Sequence, residues 1–203
     1  MGDCRTRSAA AFPDMPQTGN GWFLTLKRCC MTPDAVGPLS AGGILVTRHL
    51  RQQLPQIFGG VRPVSALVPG VLGTTGVESA EIVQSVVEAT RPDRVVVVDA
   101  LAAGSADRLC RVIQVTDAGI VPGSGVGNSR AAFSAETLGV PVVAVGAPTV
   151  MDARQPGEQE PLMVTPRDVD ARVRRLSSLI SAGINAALFP DWSYDEIAQF
   201  VDL

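Results

Sequence analysis

Hydrophobic and polar positions change their rhythm near residue 31. Residues 1–30 show no clear period, and only Trp22-Phe23-Leu24-Thr25-Leu26 could make a short strand. From residue 38 the pattern becomes orderly. Leu39 to Leu54, with Leu45, Leu50 and Leu54 among its apolar positions, predicts a helix despite Gly42 and Gly43 near its start. Pro63 to Val68 predicts a short buried strand cut off by Pro69-Gly70. Ile82, Val83, Val86 and Val87 give Glu78 to Thr90 a helical spacing, which Arg91-Pro92 stops. Arg94-Val95-Val96-Val97-Val98 is the clearest strand. Four consecutive valines imply burial on both faces, as in a parallel sheet covered by helices.

Cys110 to Thr116 and Pro141 to Gly146 are further strand candidates, and Arg154 to Pro161, rich in Pro, Gly, Glu and Gln, reads as a surface linker. Thr165-Pro166-Arg167-Asp168 opens a helix through Val173, Leu176, Leu179, Ile180 and Ile184, with Thr165 as the expected cap. Ser193 and Glu196 stand at capping-box spacing and start a last short helix. Strands alternating with helices predict an α/β fold: a doubly wound, mostly parallel sheet with helices on both faces. The expected domain covers residues 31–203. Residues 1–30 form an atypical segment that reads as disordered or as a misassigned start.

Composition narrows the function classes. The 203 residues are 46% hydrophobic and 18% charged, too apolar for a disordered chain. A formal net charge of -3 gives no basic footprint for nucleic acid, and no apolar run is long enough to span a membrane. Cys4, Cys29, Cys30 and Cys110 fit neither a disulfide framework nor metal-ligand spacing, and His49 is the single histidine. No metal and no cofactor are therefore expected.

In an open parallel sheet the working groups lie beyond the carboxyl ends of the strands. Asp99 follows the valine strand directly; it either caps a helix over Ala100 to Val112 or projects into that crevice. Asp34, in Thr32-Pro33-Asp34-Ala35, either caps the first helix or faces the same crevice. Two carboxyl groups in one crevice cannot both ionise cheaply, so the pair would share a proton, activate water and protonate a leaving amine. Asp117 and Asp152 are alternatives. Two glycine-rich loops, Pro69-Gly70-Val71-Leu72-Gly73-Thr74-Thr75-Gly76 and Pro122-Gly123-Ser124-Gly125-Val126-Gly127-Asn128, fit neither the dinucleotide fingerprint nor the P-loop. They are either tight turns or walls of a substrate cleft. In the second reading Gly70, Gly73, Gly76, Gly123, Ser124, Gly125 and Asn128 contact substrate. A serine hydrolase would need His49 as base, and Ser124 lacks the nucleophile-elbow context.

These motifs resemble a known family. Thr32 to Pro38, Leu45-Val46-Thr47-Arg48-His49-Leu50, Arg62-Pro63-Val64-Ser65, both glycine-rich loops and Val98-Asp99-Ala100-Leu101-Ala102-Ala103 occur in the order found in the germination protease of spore-forming Firmicutes. Glu136-Thr137-Leu138-Gly139-Val140-Pro141, Pro148 to Ala153 and Gly183-Ile184-Asn185 continue the resemblance, which covers about residues 31–203. Gly104 stands where the family usually has arginine, and Val121 where histidine is common.

The resemblance implies a phosphorylase/hydrolase-like fold similar to that of the hydrogenase-maturation peptidases. It implies an endopeptidase that degrades small acid-soluble spore proteins at germination, made as a zymogen and assembled as a homotetramer in the cytoplasm of the spore core. It touches neither nucleic acid nor membrane. The family is an atypical aspartic peptidase, and its two catalytic aspartates fall on Asp34 and Asp99. Two other readings stand beside this one: a hydrogenase-maturation-type peptidase with carboxylate and histidine ligands, and an inactive member serving as a scaffold.

Overall fold

The computed structural model describes residues 21–26, 32–126, 130–154 and 160–201. A six-stranded sheet forms its spine. In chain order the strands are β1 (Trp22–Leu26), β2 (Val64–Leu67), β3 (Arg94–Ala103), β4 (Gln114–Thr116), β5 (Val142–Asp152) and β6 (Met163–Val164). Across the sheet they run β2-β1-β3-β5-β4, and β6 pairs with the far end of β5. The four strands β2, β1, β3 and β5 are mutually parallel, while β4 and β6 are antiparallel to β5.

The valine run explains the layering. Successive strand residues face opposite sides. Val96 and Val98 join Trp22, Leu24, Val143 and Val145 in one core, covered by α1 (Val36–Gly42) and α7 (Val169–Leu188). Val95 and Val97 join Phe23 and Val142 in the other, covered by α5 (Ser79–Thr90) and α6 (Ala135–Leu138). Three layers result, with helices on both faces as the sequence pattern predicts. Between them lie α2 (Arg48–Gln53), α3 (Pro55–Phe58) and α4 (Leu72–Thr75), and α8 (Tyr194–Ala198) closes the described chain.

Several elements depart from the sequence reading. The helix expected over Leu39 to Leu54 is two helices, broken at 43–47. There Asn185 of α7 accepts from the Leu45 amide at 3.0 Å and donates to the Gly43 carbonyl at 2.7 Å, replacing the missing helical bonds. Thr47 donates to the Arg62 carbonyl and accepts from the Val64 amide, which fixes the break against β2. No helix follows Asp99. β3 continues to Ala103 because β5, running on to Asp152, offers Ala147 to Met151 as partners. The strand expected over Cys110 to Thr116 is only Gln114–Thr116. Thr165 does not cap α7; its hydroxyl donates to the Thr149 carbonyl at 2.7 Å, and Asp168 takes the cap position without a capping bond.

The short strand that Trp22 to Leu26 allows is present: β1 stands between β2 and β3, with Phe23 and Leu24 buried in opposite cores. The capping box is where the spacing puts it: Glu196 accepts from the Ser193 amide, and Ser193 accepts from the Glu196 amide. Within the linker read over Arg154 to Pro161, residues 155–159 lie outside the described residues.

Candidate active site

The strand order reverses between β1 and β3. From β1 the chain moves outward to β2, then crosses back over β1 to lay down β3 on its other side. In parallel sheets such a switch point opens a crevice at the carboxyl ends of the two strands. Among the described residues, pairing between β1 and β3 runs to Leu26 opposite Val98, and Asp99 follows directly on β3. Asp34 comes off the other flank, on a 3-10 turn (Thr32–Asp34) in the connection that follows β1. That turn packs against β3, β5 and α7. Asp99 thus lies on one of the strands that border the switch point, and Asp34 lies in the connection that leaves the other.

Asp34 is half-buried and lines a cleft of about 250 Å³. It does not cap α1, whose cap position is Ala35 with no side-chain bond. Asp99 is 4% exposed, and its Oδ1 accepts from the amide of Ala100 at 2.9 Å. It is not itself a lining residue of the cleft. Strand alternation places it on the face of Val95 and Val97, the side covered by α5 and Phe133, and both of these contribute to the cleft wall.

Both glycine-rich loops border the cleft. Val71, Leu72 and Gly73 come from the first and Pro122 from the second. Ser79 at the start of α5 donates to the carbonyl of Gly70 at 2.8 Å, and Gly76 ends α4 with φ 71°. The base of the second loop is closed by paired hydrogen bonds between Ile120 and Phe133. Ser124 and Gly125 form a 3-10 turn (Ser124–Val126) packed on β3. Gly125 must be small: a Cβ there would stand 2.7 Å from Cβ of Ala102. Gly123 has φ 76°, a conformation suited to glycine. Asn128 lies outside the described residues, as do Cys4, Cys29 and Cys30.

The alternatives separate from this cleft. Asp117 is exposed after β4, and Asp152 is occupied in the β5–β6 turn. It accepts from the amides of Arg154 and Leu162 and pairs with Arg154 at 2.7 Å, which holds its carboxyl below the usual range. His49 is exposed on α2 and borders a different cleft of about 540 Å³, with Ile44, Leu50 and Phe200. Among the described residues no three of His, Cys, Asp and Glu are grouped to hold a metal. Nor is any of their helices long and apolar enough to cross a membrane.

Two charged residues of the cleft escaped the sequence reading. Glu78 takes the N-cap position of α5, and Arg130 lies beyond the second glycine loop. Arg130 Nη1 approaches Glu78 Oε1 at 3.4 Å across the cleft. They stand 52 positions apart, so no local spacing could pair them, although each follows a glycine-rich loop.

A family model described as germination protease matches residues 17–159. A germination protease of Clostridium perfringens (strain SM101 / Type A) is 36% identical over 233 residues, covering 93% of this chain and 72% of that relative. One from Caldanaerobacter subterraneus subsp. tengcongensis is 39% identical and covers 84% and 66%. One from Geobacillus sp. (strain WCH70) is 55% identical over 124 residues, or 61% of this chain and 33% of that relative. Among solved structures, a [NiFe] hydrogenase maturation protease HycI from Thermococcus kodakarensis KOD1 is similar at 20% identity and a TM-score of 0.46, covering 81% of this chain and 92% of that one. The family match begins upstream of residue 31, in keeping with the place of β1 inside the sheet. The chain belongs to the germination protease family, a family of peptidases.

Proposed function

We propose that the chain is an endopeptidase that degrades small acid-soluble spore proteins at germination, with Asp34 and Asp99 as its catalytic pair. The supporting observation is their place at the switch point, Asp99 on β3 and Asp34 in the connection after β1, with Asp34 on the wall of a cleft bordered by both glycine-rich loops. Two carboxyl groups that work in one crevice cannot both ionise cheaply, so the pair shares one proton. Asp34, the member on the cleft wall, takes a proton from water as the water oxygen attacks the peptide carbonyl. The same proton passes from Asp34 to the leaving nitrogen as the C–N bond breaks. Asp34 returns as carboxylate, and one water has been consumed per bond.

The glycine-rich loops suit an extended peptide, since their backbone amides can approach it closely. In this reading Gly70, Gly73, Gly76, Gly123, Ser124, Gly125 and Asn128 supply those contacts. Action on proteins of the spore core, zymogen control and a homotetrameric assembly belong to the same proposal. Incubating the purified chain with a small acid-soluble spore protein, beside Asp34→Asn and Asp99→Asn, tests it. Defined internal cleavage by the parent and none by the variants is expected; equal cleavage by all three removes the pair from the mechanism.

A further inference from the structure

Among the described residues that line the Asp34 cleft, Arg130 is the one cation, beside two acidic side chains, Asp34 and Glu78. Peptide hydrolysis places a negative charge in this acidic cleft, because the carbonyl π electrons move onto oxygen when water adds. A fixed cation at that oxygen is worth far more in a recessed cleft than in open water.

Both ends of the pair are anchored. The Arg130 amide donates to the carbonyl of Pro122 at 3.0 Å, which fixes its backbone to the second glycine loop. The Glu78 carbonyl accepts from the amides of Glu81 and Ile82 at the start of α5. The contact between the side chains is a single Nη1–Oε1 approach of 3.4 Å, with side-chain exposures of 37% and 30%. A guanidinium has five N–H donors, and one long bond to Glu78 leaves most of them for a ligand. An ion pair this exposed contributes little to stability, commonly ~0–1 kcal/mol. Stability alone therefore does not account for a charge pair at this place.

We infer that Arg130 is a catalytic residue that binds the scissile carbonyl oxygen and stabilises the oxyanion, with Glu78 as the positioning residue that aims it. The inference rests on the peptidase reading of the Asp34 cleft. Water oxygen bonds to the carbonyl carbon, its proton goes to Asp34, and the carbonyl electron pair becomes an oxyanion held by Arg130. The oxyanion then re-forms the C=O bond and expels the nitrogen, which takes the proton back from Asp34. Arg130 gains and loses no proton.

The test compares the full chain with Arg130→Ala, Arg130→Lys, Glu78→Gln and Glu78→Asp on a small acid-soluble spore protein, with Asp34→Asn as the inactive reference. Arg130→Ala should lower kcat by ~10²–10³-fold, the cost of losing one oxyanion donor. KM should stay within about twofold, as for an interaction made in the transition state. Added guanidinium or methylguanidinium should restore rate to Arg130→Ala and none to Asp34→Asn. Arg130→Lys should fall between alanine and the parent, because lysine keeps the charge without the fork of donors. Glu78→Gln should lower kcat less than Arg130→Ala does, with Glu78→Asp recovering part of the loss. An Arg130→Ala variant that keeps the parent kcat, loses only KM, or is not rescued by guanidinium overturns the assignment while leaving the aspartate pair intact. A parent chain with no cleavage overturns both readings.

Discussion

Between α1 and α7 polar side chains are buried and fully bonded, whereas in the cleft beyond β1 and β3 they are half-exposed and loosely joined. In the seam, the Ser181 hydroxyl donates to the carbonyl of Ser40 or Ser177, and the Ser177 hydroxyl to that of Val36. Asn185 ties Gly43 and Leu45. Each of these groups is neutral and has a backbone partner, which is how polarity survives burial. Among the described residues the cleft instead gathers three ionisable groups, Asp34, Glu78 and Arg130, with one long contact between two of them. Bonded neutral groups hold two helices together; charges left only partly bonded are free to meet a substrate. The same contrast predicts opposite mutational signatures.

The largest effect belongs to the cleft. Asp34→Asn should lower kcat on the order of 10³–10⁴-fold, as removal of a charge that works in a catalytic set does. Its unfolding free energy should stay within about 0.5 kcal/mol of the parent, as expected away from the core. Substrate cleavage and denaturant titration on the same preparation measure both. A large stability loss would place Asp34 with the seam.

Asn185→Leu should show the reverse. It leaves the Leu45 amide and Gly43 carbonyl buried without partners, at a cost of roughly 2–4 kcal/mol. The fraction that remains folded should cleave at the parent rate, because α7 carries none of the charged cleft residues. Gly125→Ala lies between the two. Its new Cβ meets Ala102 at 2.7 Å and lifts the second loop from β3. The expected cost is about 1–3 kcal/mol, as for overpacking, together with a slower cleavage rate. A rate unchanged in Gly125→Ala would free the second loop from any part in the cleft.

The smallest effect lies far from both regions, in the capping box of α8. Hydrogen bonds from the Ser193 amide and hydroxyl hold the Glu196 carboxyl below its ordinary value of 4.5. A carboxyl lowered on folding stabilises the fold fully above its unfolded value, and the contribution is lost as pH falls through the folded one. The stability difference between the parent and Glu196→Gln should therefore be constant above pH 4.5 and shrink below it. Denaturant titrations across that interval check the sign.

Where residues declare themselves locally, the sequence was legible. The run Val95 to Val98 can only be buried on both faces, and Ser193 with Glu196 can only start a helix. Asp99 was legible as a candidate because it follows the valine strand and Asp34 because it sits in a turn that opens the first helix, and the family motifs singled out the same two. Other features depend on partners far along the chain. Asn185 breaks the first helix from 140 residues away, so the apolar spacing of Leu39 to Leu54 carried no sign of it. β3 runs past Asp99 because β5 is long enough to pair with it; alone, Ala100 to Ala103 reads equally well as helix. Glu78 and Arg130 were missed for the same reason, since the fold alone joins them.

The central claim is that Asp34 and Asp99 act as one unit. A double-mutant cycle tests it most directly, with kcat for small acid-soluble spore protein cleavage measured for the parent, Asp34→Asn, Asp99→Asn and the double variant. Groups that act together are strongly non-additive: once one is gone, losing the other costs little more. The account predicts that each single substitution abolishes most of the rate and that the double variant is no slower than the worse single. Losses that multiply, or a single variant that cleaves at the parent rate, would contradict it.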